Sequence, residues 1–253
     1  MRLLIVADRF DVEQARNTSV ARALAARGHR IAVVTSGGQG QPVGAEGLEV
    51  LAPLTRTEDR RRQRAVGRRN GRHVRDTLAA ARPDAVVLWN PAGLAMGAVR
   101  AAVASGIPTV TCFVDDDWAA LIARPFRWSL RPALAFLADR TINRNATLAA
   151  FAPAHATCVS RYLKAALVAQ GVPAQHARVL YPGIPLEAFP AKPRPGALHL
   201  PLRILCSPLP HPAGLDTVIE AAGHIVEARR AGALEVTILA DDEAVVPREA
   251  PEG

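Results

Sequence analysis

Residues 1–35 read MRLLIVADRFDVEQARNTSVARALAARGHRIAVVT, and this stretch decides the fold class. An apolar run, Leu3–Ala7, is followed by a helix-like segment, Val12–Arg27, that stops at Gly28. Glycine is a common helix stop because it adopts the left-handed backbone conformation easily. A second apolar run, Ile31–Thr35, follows at once. Continuous apolar runs of this kind are typical of parallel strands that helices cover on both faces.

The same alternation of strand-like and helix-like segments continues along the chain. Further strands are predicted at Leu48–Leu51, Ala85–Leu88, Thr109–Val114, Ala156–Val159 and Arg178–Tyr181. Helices are predicted at Glu58–Ala81, Leu94–Ser105, Trp118–Ala150 and Arg161–Gln170. This order predicts an α/β protein with a doubly wound, Rossmann-like parallel sheet.

Prolines interrupt this alternation between residues 182 and 201. Proline lacks the backbone N–H and clashes with a preceding helical turn, so this stretch suits neither a helix nor a central strand. We therefore predict a first domain at residues 1–190, a linker at 191–201 and a second domain at 202–253.

The second domain contains a single βαβ unit. Its strands are predicted at Leu202–Cys206 and Glu235–Ala240, with a helix at Leu215–Arg230 between them. Two parallel strands and one helix cannot bury their own apolar faces, since sheets usually have about five or six strands. This domain is therefore expected to be incomplete, unless a partner chain supplies the remaining strands.

The composition indicates a globular protein with unevenly distributed positive charge. Hydrophobic residues make up 49% of the chain, and the formal net charge is +8. Arginines cluster in one short stretch, at Arg60, Arg61, Arg62, Arg64, Arg68, Arg69, Arg72 and Arg75. Such a cluster suits nucleic acid, anionic lipid headgroups or a phosphorylated ligand, and the alternative is a solvated basic helix.

Neither a membrane span nor a secretory signal is predicted. No apolar run approaches the roughly 20 residues that cross a bilayer. The opening run, Met1–Ala7, is shorter than the apolar region of a signal peptide, so a cytoplasmic location is expected. The cysteines, Cys112, Cys158 and Cys206, lie far apart beside apolar runs, which favours buried free thiols over a disulfide framework or a metal site.

The first strand-to-helix turn, residues 8–14, reads DRFDVEQ and contains no glycine. A pyrophosphate needs glycines in that turn so that backbone N–H groups can approach it, which argues against an NAD-type site. The sequence also lacks the GxxxxGK[ST] phosphate loop, the GxSxG nucleophile turn and the HExxH zinc pair.

Several segments follow one another in an informative order: MRLLIV (1–6), PDAVVLWN (83–90), GIPTV (106–110), CVSRYL (158–163), RVLYPGIPLEAF (178–189), LRILC (202–206) and GLDTVIEAA (214–222). Together they resemble the GT-B glycosyltransferases of family 4, which are retaining transferases that use nucleotide sugars. The resemblance implies an N-terminal domain that binds the acceptor and a C-terminal domain that binds the donor. Sugar transfer would then take place in the cleft between the two domains.

The donor side departs from the family pattern. In the family, an arginine and a lysine after the linker strand clamp the donor diphosphate, and here Pro208 and Ala213 occupy those places. The resemblance leaves Ser207, His211 and Gly214 to line what remains of the donor site. The family's later pair of glutamates, spaced Glu-x7-Glu, would lie beyond residue 253.

Acidic residues follow the strand predicted at Thr109–Val114, and we predict that Asp115 and Asp116 are catalytic. Ligands of open parallel sheets gather at the carboxyl ends of the strands. Adjacent carboxylates repel one another, which raises the pKa of at least one of them and suits it to orient an acceptor hydroxyl or accept its proton. The alternative is a helix N-cap with an acidic first turn, and both interpretations stay open.

Neighbouring residues are predicted to bind substrate. Asn90 follows another strand, and Asp117 and Trp118 continue the acidic run. Arg16 could meet a phosphate near the first turn, where relatives often carry a glycine pair. The alternatives are a simple turn for Asn90, core packing for Trp118 and a solvated helix residue for Arg16.

The residues between Arg124 and Arg131 mix basic and aromatic side chains. Such a face could rest on an anionic membrane, or belong to an ordinary amphipathic helix. The expected partners are therefore a nucleotide sugar, an acceptor glycan, lipid or small molecule, and an anionic membrane in peripheral contact, without nucleic acid and without a cofactor beyond the donor. The alternative function is a non-catalytic or partner-dependent binding module.

Overall fold

The computed structural model divides the chain into two compact units, Met1–Ile184 and Pro185–Gly253. The structure describes residues 1–10, 16–36, 48–51, 53–57, 59–122, 129–141, 147–148, 151–183, 202–206, 217–224 and 234–238. The predicted linker, 191–201, lies outside these ranges. The domain boundaries drawn from the sequence therefore stay predictions.

The first unit is built on a parallel seven-stranded sheet. Its strands are β1 (Arg2–Ala7), β2 (Arg30–Thr35), β3 (Leu48–Leu51), β4 (Ala85–Trp89), β5 (Thr109–Phe113), β6 (His155–Cys158) and β7 (Arg178–Val179). They are arranged in the order β3-β2-β1-β4-β5-β6-β7, so the direction of winding reverses between β1 and β4. In this register Ile5 lies between Val33 of β2 and Val87 of β4. The predicted doubly wound α/β fold is confirmed.

The helices of this unit are α1 (Arg16–Ala26), α2 (Arg60–Ala81), α3 (Met96–Val103), α4 (Leu130–Thr141) and α5 (Arg161–Ala169), with short 3-10 turns at Pro91–Leu94 and Asp117–Leu121. The continuous helix predicted over Trp118–Ala150 is wrong. The backbone becomes extended at Ile122, where ψ is 141°, and this ends the turn that contains Trp118. The helix predicted from Leu94 begins two residues later because Ala95 has φ 60° and ψ 163°.

Alternating side chains of each strand face opposite sides of the sheet and enter two apolar cores. On one side, Leu4, Val6 and Leu88 pack with residues of α2 and α3. On the other side, Ile5 and Val33 belong to a smaller core. Both faces of the central strands are thus covered, as the continuous apolar runs predict. None of the described helices is long and apolar enough to cross a membrane.

Helices α2 and α3 approach closely because glycines meet at their crossing. A Cβ added to Gly97 would overlap the backbone of Gly67, and one added to Gly71 would lie 2.8 Å from the carbonyl oxygen of Gly97. Cβ atoms do not occur at such short separations from backbone atoms. The crossing therefore requires residues without a side chain at this point.

The second unit has a sheet of its own. The strands β8 (Leu202–Cys206) and β9 (Leu234–Ile238) pair in parallel, with Ile204 opposite Val236. A helix at residues 217–224 lies between them in the sequence. Within the described residues, these strands form a two-stranded sheet that does not join the seven-stranded one. The predicted βαβ unit after the linker is therefore present.

Candidate functional site

Polar side chains follow three neighbouring strands of the first sheet at their carboxyl ends. Asp8 comes directly after β1, Asn90 directly after β4, and Asp115 two residues after β5. Because β1, β4 and β5 are adjacent and parallel, these side chains belong to one edge of the sheet. This edge is where open α/β sheets bind their ligands.

Asn90 and Asp115 are joined by a hydrogen bond, as their positions after adjacent strands suggest. The Asn90 side-chain amide donates to Oδ2 of Asp115 at 2.5 Å, and the backbone N–H of Asp117 donates to Oδ1 of Asp115 at 3.0 Å. Asn90 adopts the left-handed conformation, with φ 43°, which asparagine tolerates better than most residues. The other amide atom, Oδ1 of Asn90, is buried and has no hydrogen-bond donor among the described residues.

Burial raises the pKa of the Asp115 carboxyl. Desolvation is the largest cause, and the hydrogen bond from the Asp117 N–H partly opposes it. The negative charges of Asp117 and Asp116 raise this pKa further. The prediction that one aspartate of the run has a raised pKa is confirmed, but burial contributes more than repulsion between carboxylates.

Asp8 is a second carboxylate at this edge that sequence reasoning missed, and it is more deeply buried than Asp115. Only 5% of the residue is exposed. Ser36 donates its hydroxyl to Oδ1 of Asp8 at 3.2 Å, and Arg56 approaches Oδ2 with its Nε at 3.4 Å. A Cβ added to Gly93 would collide with this carboxylate, so the glycine lets the turn after β4 lie against it. The available signal was its position directly after a buried strand, which is the signal that identified Asn90.

Burial also raises the pKa of Asp8. The charge of Arg56 and the hydrogen bond from Ser36 partly offset this effect, whereas the charge of Asp117 adds to it. Two carboxyls with raised pKa values therefore lie at one sheet edge. A raised pKa makes a carboxylate a stronger acceptor for a hydroxyl proton.

A cavity of about 300 Å³ lies at this edge. It is lined by Arg56, Thr57, Gln63, Ala92, Gly93, Asp117 and Leu121. Its volume is at the lower end of the range of small-molecule sites. The charged side chains on its wall, Arg56 and Asp117, can each hold a polar ligand by charge-assisted hydrogen bonds.

Asn70 holds the segment that carries Arg56 in place. This fully buried side chain accepts a hydrogen bond from the Thr55 N–H at 3.0 Å, and it donates to the Thr55 carbonyl at 2.7 Å and to the Leu94 carbonyl at 2.8 Å. The Thr57 N–H in turn donates to the Gly93 carbonyl at 2.9 Å. Asn70 thus holds in place both the segment that carries Arg56 and Leu94, at the end of the turn after β4.

Replacing Asn70 with alanine is expected to lower the free energy of unfolding by about 2 kcal/mol, because three buried backbone groups lose their partner. Urea denaturation followed by circular dichroism measures this change. Gln175→Ala, at an exposed position, is the control and should leave the midpoint within error. Equal midpoints for Asn70→Ala and the wild type would contradict the role given to Asn70.

Stability is expected to depend on pH through Asp8 and Asp115. Because their pKa values are raised on folding, the folded state binds more protons than the unfolded state above pH 3.8. The free energy of unfolding should therefore fall as pH rises through the raised pKa values. Asp115→Asn removes one of these groups, so its stability relative to the wild type should increase as the pH rises from 3.8 through the raised pKa. A constant difference across that range would contradict the raised pKa of Asp115.

Trp118 belongs to the core, which corrects the substrate-binding role predicted for it. The residue is completely buried. Its ring packs edge-on against Phe113, with centroids 4.9 Å apart, and stacks with Phe151 at 6.0 Å. A sugar has no exposed indole face to stack on, so the packing alternative is the one the structure supports.

The structure describes only some of the remaining residues that were predicted to belong to the site. Asp116 is exposed, and its side chain makes no capping hydrogen bond to the 3-10 turn that follows. Arg16 begins α1, but its side chain lies outside the described residues. Ser207, His211 and Gly214 lie outside them entirely. The roles of these residues stay predictions.

A family model described as Glycosyltransferase Family 4 matches residues 16–188. The chain belongs to glycosyltransferase family 4. The matched range covers α1 to α5 and therefore the sheet edge at which Asn90 and Asp115 meet. No curated protein is similar enough in sequence to be matched.

Solved structures of glycosyltransferases share the fold of this family 4 chain. The glycotransferase of kitacinnamycin is 16% identical with a TM-score of 0.55, and the match covers 99% of this chain and 68% of that one. The lipopolysaccharide outer core galactosyltransferase WaaB is 11% identical with a TM-score of 0.58, covering 94% and 60%. HepE from Anabaena, solved in complex with UDP and glucose, is 15% identical with a TM-score of 0.51, covering 94% and 60%. The chain thus spans between 60% and 68% of the length of these proteins.

Proposed function

We propose that this family 4 chain acts in the transfer of a sugar from a nucleoside diphosphate sugar to an acceptor hydroxyl, with retention of anomeric configuration. The observation that carries the proposal is the pair of carboxyls at the carboxyl edge of the sheet, the buried Asp8 and the partly buried Asp115, whose pKa values are both raised. Together with Asn90 and Asp117 they supply acceptor atoms for the hydroxyls of a sugar or alcohol. The proposal includes no metal and no cofactor besides the donor.

In this reaction the acceptor oxygen forms a bond to the anomeric carbon on the face from which the diphosphate departs, as retention in one step requires. The bond to the diphosphate breaks, and the acceptor proton passes to Asp115 or to the departing diphosphate. Both carboxylate oxygens of Asp115 already accept a hydrogen bond, but each keeps a lone pair that can accept a hydroxyl proton. The buried Oδ1 of Asn90 can accept from a second hydroxyl. Asp115 and Asn90 therefore orient the acceptor, and the leaving diphosphate carries away the negative charge that develops.

The donor class is inferred from the family and from one neighbour of similar fold. HepE was solved with UDP and glucose, which makes UDP-sugars the first donors to test. On this chain, Arg56 is a cation on the wall of the cavity beside Asp117, and a guanidinium binds phosphate oxygens in pairs. Ser207, His211 and Gly214 are proposed to contribute from the second unit.

Calorimetric titration of the full chain with UDP-sugars and GDP-sugars tests this proposal. We expect saturable binding in the micromolar to millimolar range for at least one donor, and no comparable binding of the free sugar. Asp76→Asn, on the exposed surface of α2, should bind as the wild type does. Absence of binding by every nucleotide sugar would contradict the assignment of a donor site to this chain alone.

The second candidate is a partner-dependent or non-catalytic module, and the replacement of two cations favours it. Pro208 and Ala213 stand where the resemblance places arginine and lysine. Two charges close to a diphosphate are worth several kcal/mol at an effective dielectric of about 20, and neither residue can replace them. If this candidate holds, the chain alone binds no donor and acquires donor binding only in complex with a chain that supplies the clamp.

We further propose a cytoplasmic location with peripheral contact to an anionic membrane. The stretch predicted to make this contact, residues 124–131, lies outside the described residues up to residue 128, and it continues into α4, to which we extend the contact. Leu130, Leu134 and Leu137 recur on one face of this helix and are 81%, 58% and 52% exposed. Arg131 is exposed on the same helix. An apolar row beside basic residues is the pattern of a helix that lies in a membrane interface.

A further inference from the structure

Helix α2 carries far more positive than negative charge. It contains eight arginines and a single acidic residue, Asp76. Its N-cap, Asp59, accepts a hydrogen bond from the Arg61 N–H at 2.8 Å, and no acidic residue lies in the first turn. Positive charges near a helix N-terminus oppose the helix dipole. The charges of α2 therefore do not stabilise this helix.

Four of these arginines recur on one face of the helix. Arg64, Arg68 and Arg72 are each four residues apart, and Arg75 continues the row. Like charges at this spacing repel one another and destabilise an isolated helix. Within the described part of the chain, none of the four forms an ion pair with a carboxylate. The repulsion along this row is therefore not relieved by acidic neighbours.

These side chains line a groove between α2 and α3, of about 660 Å³. The lining residues are Arg64, Gly67, Arg68, Gly71, Arg72, Arg75, Leu78, Gly97, Arg100, Ala101, Ala104 and Ser105. Gly67, Gly71 and Gly97 line the groove at the helix crossing, where they add no side chain. Arg100 of α3 also lines the groove, and it donates a hydrogen bond to the Thr147 carbonyl at 3.5 Å. None of the described residues that line the groove is acidic.

The groove is distinct from the cavity of about 300 Å³ at the carboxyl edge of the sheet. The two cavities share no lining residue. On α2, Gln63 lines the cavity at the carboxyl edge and Asn70 bonds to Thr55 and Leu94. The exposed Arg64 and Arg68 instead line the groove. A ligand in the groove therefore contacts a different face of the helix.

We propose that the groove between α2 and α3 binds a ligand that carries several phosphate groups. Arginine presents paired N–H donors that match the oxygens of a phosphate, and the four exposed guanidiniums of α2 can serve more than one such group. Arg64 and Arg75 are eleven residues apart, which corresponds to roughly 16 Å along a helix. A single inorganic phosphate cannot span this row, whereas a polyphosphate or several phospholipid headgroups can.

Calorimetry with tripolyphosphate and with inorganic phosphate tests the proposal. Arg68→Gln/Arg72→Gln removes two groove cations, and Arg61→Gln/Arg69→Gln removes two exposed arginines of the same helix that do not line the groove. We expect tripolyphosphate to bind the wild type more tightly than phosphate does, and the groove variant to lose at least about tenfold in affinity. The control variant should retain affinity within about twofold, since its arginines do not line the groove and act on the ligand only through longer-range, salt-screened attraction. Equal losses in the two variants, or no binding of tripolyphosphate, would overturn the proposal.

Vesicles distinguish the two sources of phosphate. Sedimentation with phosphatidylglycerol vesicles, with phosphatidylcholine vesicles as the comparison, reports on lipid headgroups. A groove variant that loses vesicle binding while Leu134→Ser keeps it assigns the lipid to the groove, and retention of vesicle binding with loss of tripolyphosphate assigns a soluble ligand. Binding of duplex DNA without binding of tripolyphosphate or vesicles would overturn the proposal.

A measurement on the wild type keeps the test independent of how the variants fold. In an NMR titration with tripolyphosphate, the guanidinium signals of Arg64, Arg68 and Arg72 and the amide of Gly97 should shift. Shifts confined to Arg56 and Asp117 would assign the anion to the transfer site and overturn the proposal. The groove and the cavity at the carboxyl edge share no lining residue. A negative result for phosphate binding in the groove therefore does not contradict the proposed sugar transfer, and the reverse also holds.

Discussion

Gly97→Ala is expected to lower the free energy of unfolding of the first unit by about 3 kcal/mol. The added Cβ would overlap the carbonyl of Gly67, and backbone atoms cannot move aside without separating α2 from α3. Helix propensity alone predicts the opposite sign, because alanine stabilises a helix by about 1 kcal/mol relative to glycine. The sign of the change therefore separates helix packing from helix propensity.

Urea denaturation of the wild type and of Gly97→Ala measures this change in the free energy of unfolding. Gly223→Ala is the matched control, since Gly223 lies in the helix at residues 217–224 and a Cβ there meets no atom within 4 Å. It should leave stability unchanged or raise it slightly. A Gly97→Ala variant as stable as the wild type would show that the two helices do not meet as closely as described.

Asp115→Asn is expected to reduce the rate of sugar transfer by about 100-fold or more, on the basis of the proposed function. Asparagine has nearly the same shape, and its one carbonyl oxygen can keep the hydrogen bond from the Asp117 N–H, whereas its NH2 group cannot accept from the Asn90 amide. It also cannot accept a proton or orient a hydroxyl through a negative charge. The loss should appear in kcat rather than in donor affinity, because the carboxylate acts on the acceptor.

Release of nucleoside diphosphate from the donor, with a panel of alcohols as acceptors, measures this rate. Asp76→Asn removes one carboxylate from the exposed face of α2 and should leave the rate within about twofold. An Asp115→Asn enzyme with unchanged turnover would remove Asp115 from the chemistry. Unchanged turnover together with full donor binding would direct attention to Asp8 and Asp117.

The sequence predicts the sheet well because parallel strands covered on both faces are continuous apolar runs. Leu48–Leu51 and Leu202–Cys206 have the predicted bounds. The long helix predicted from Trp118 is wrong because the backbone becomes extended at Ile122. Trp118 instead packs between Phe113 and Phe151.

Only part of the candidate site could be predicted from the sequence. Asn90 and Asp115 could be found because each follows a strand, and Asp8 carries the same signal. Arg56 and Asn70 could not be found this way, since they reach the edge through a segment and a helix that follow β3. Arg56 contacts Asp8, which is 48 positions away in the sequence, and Asn70 contacts Leu94, which is 24 positions away. A local sequence pattern cannot predict contacts over such separations.

The most direct test of the claim that sugar transfer takes place at the carboxyl edge is an NMR titration of the isotopically labelled chain with UDP-glucose and with GDP-mannose. We expect the backbone amides of Asp8, Asn90 and Gly93 and those of Asp115–Asp117 to shift on addition of at least one donor. Shifts confined to the opposite edge, around Arg30, Glu49 and Pro83, or no shift at any amide of the first unit, would contradict the claim.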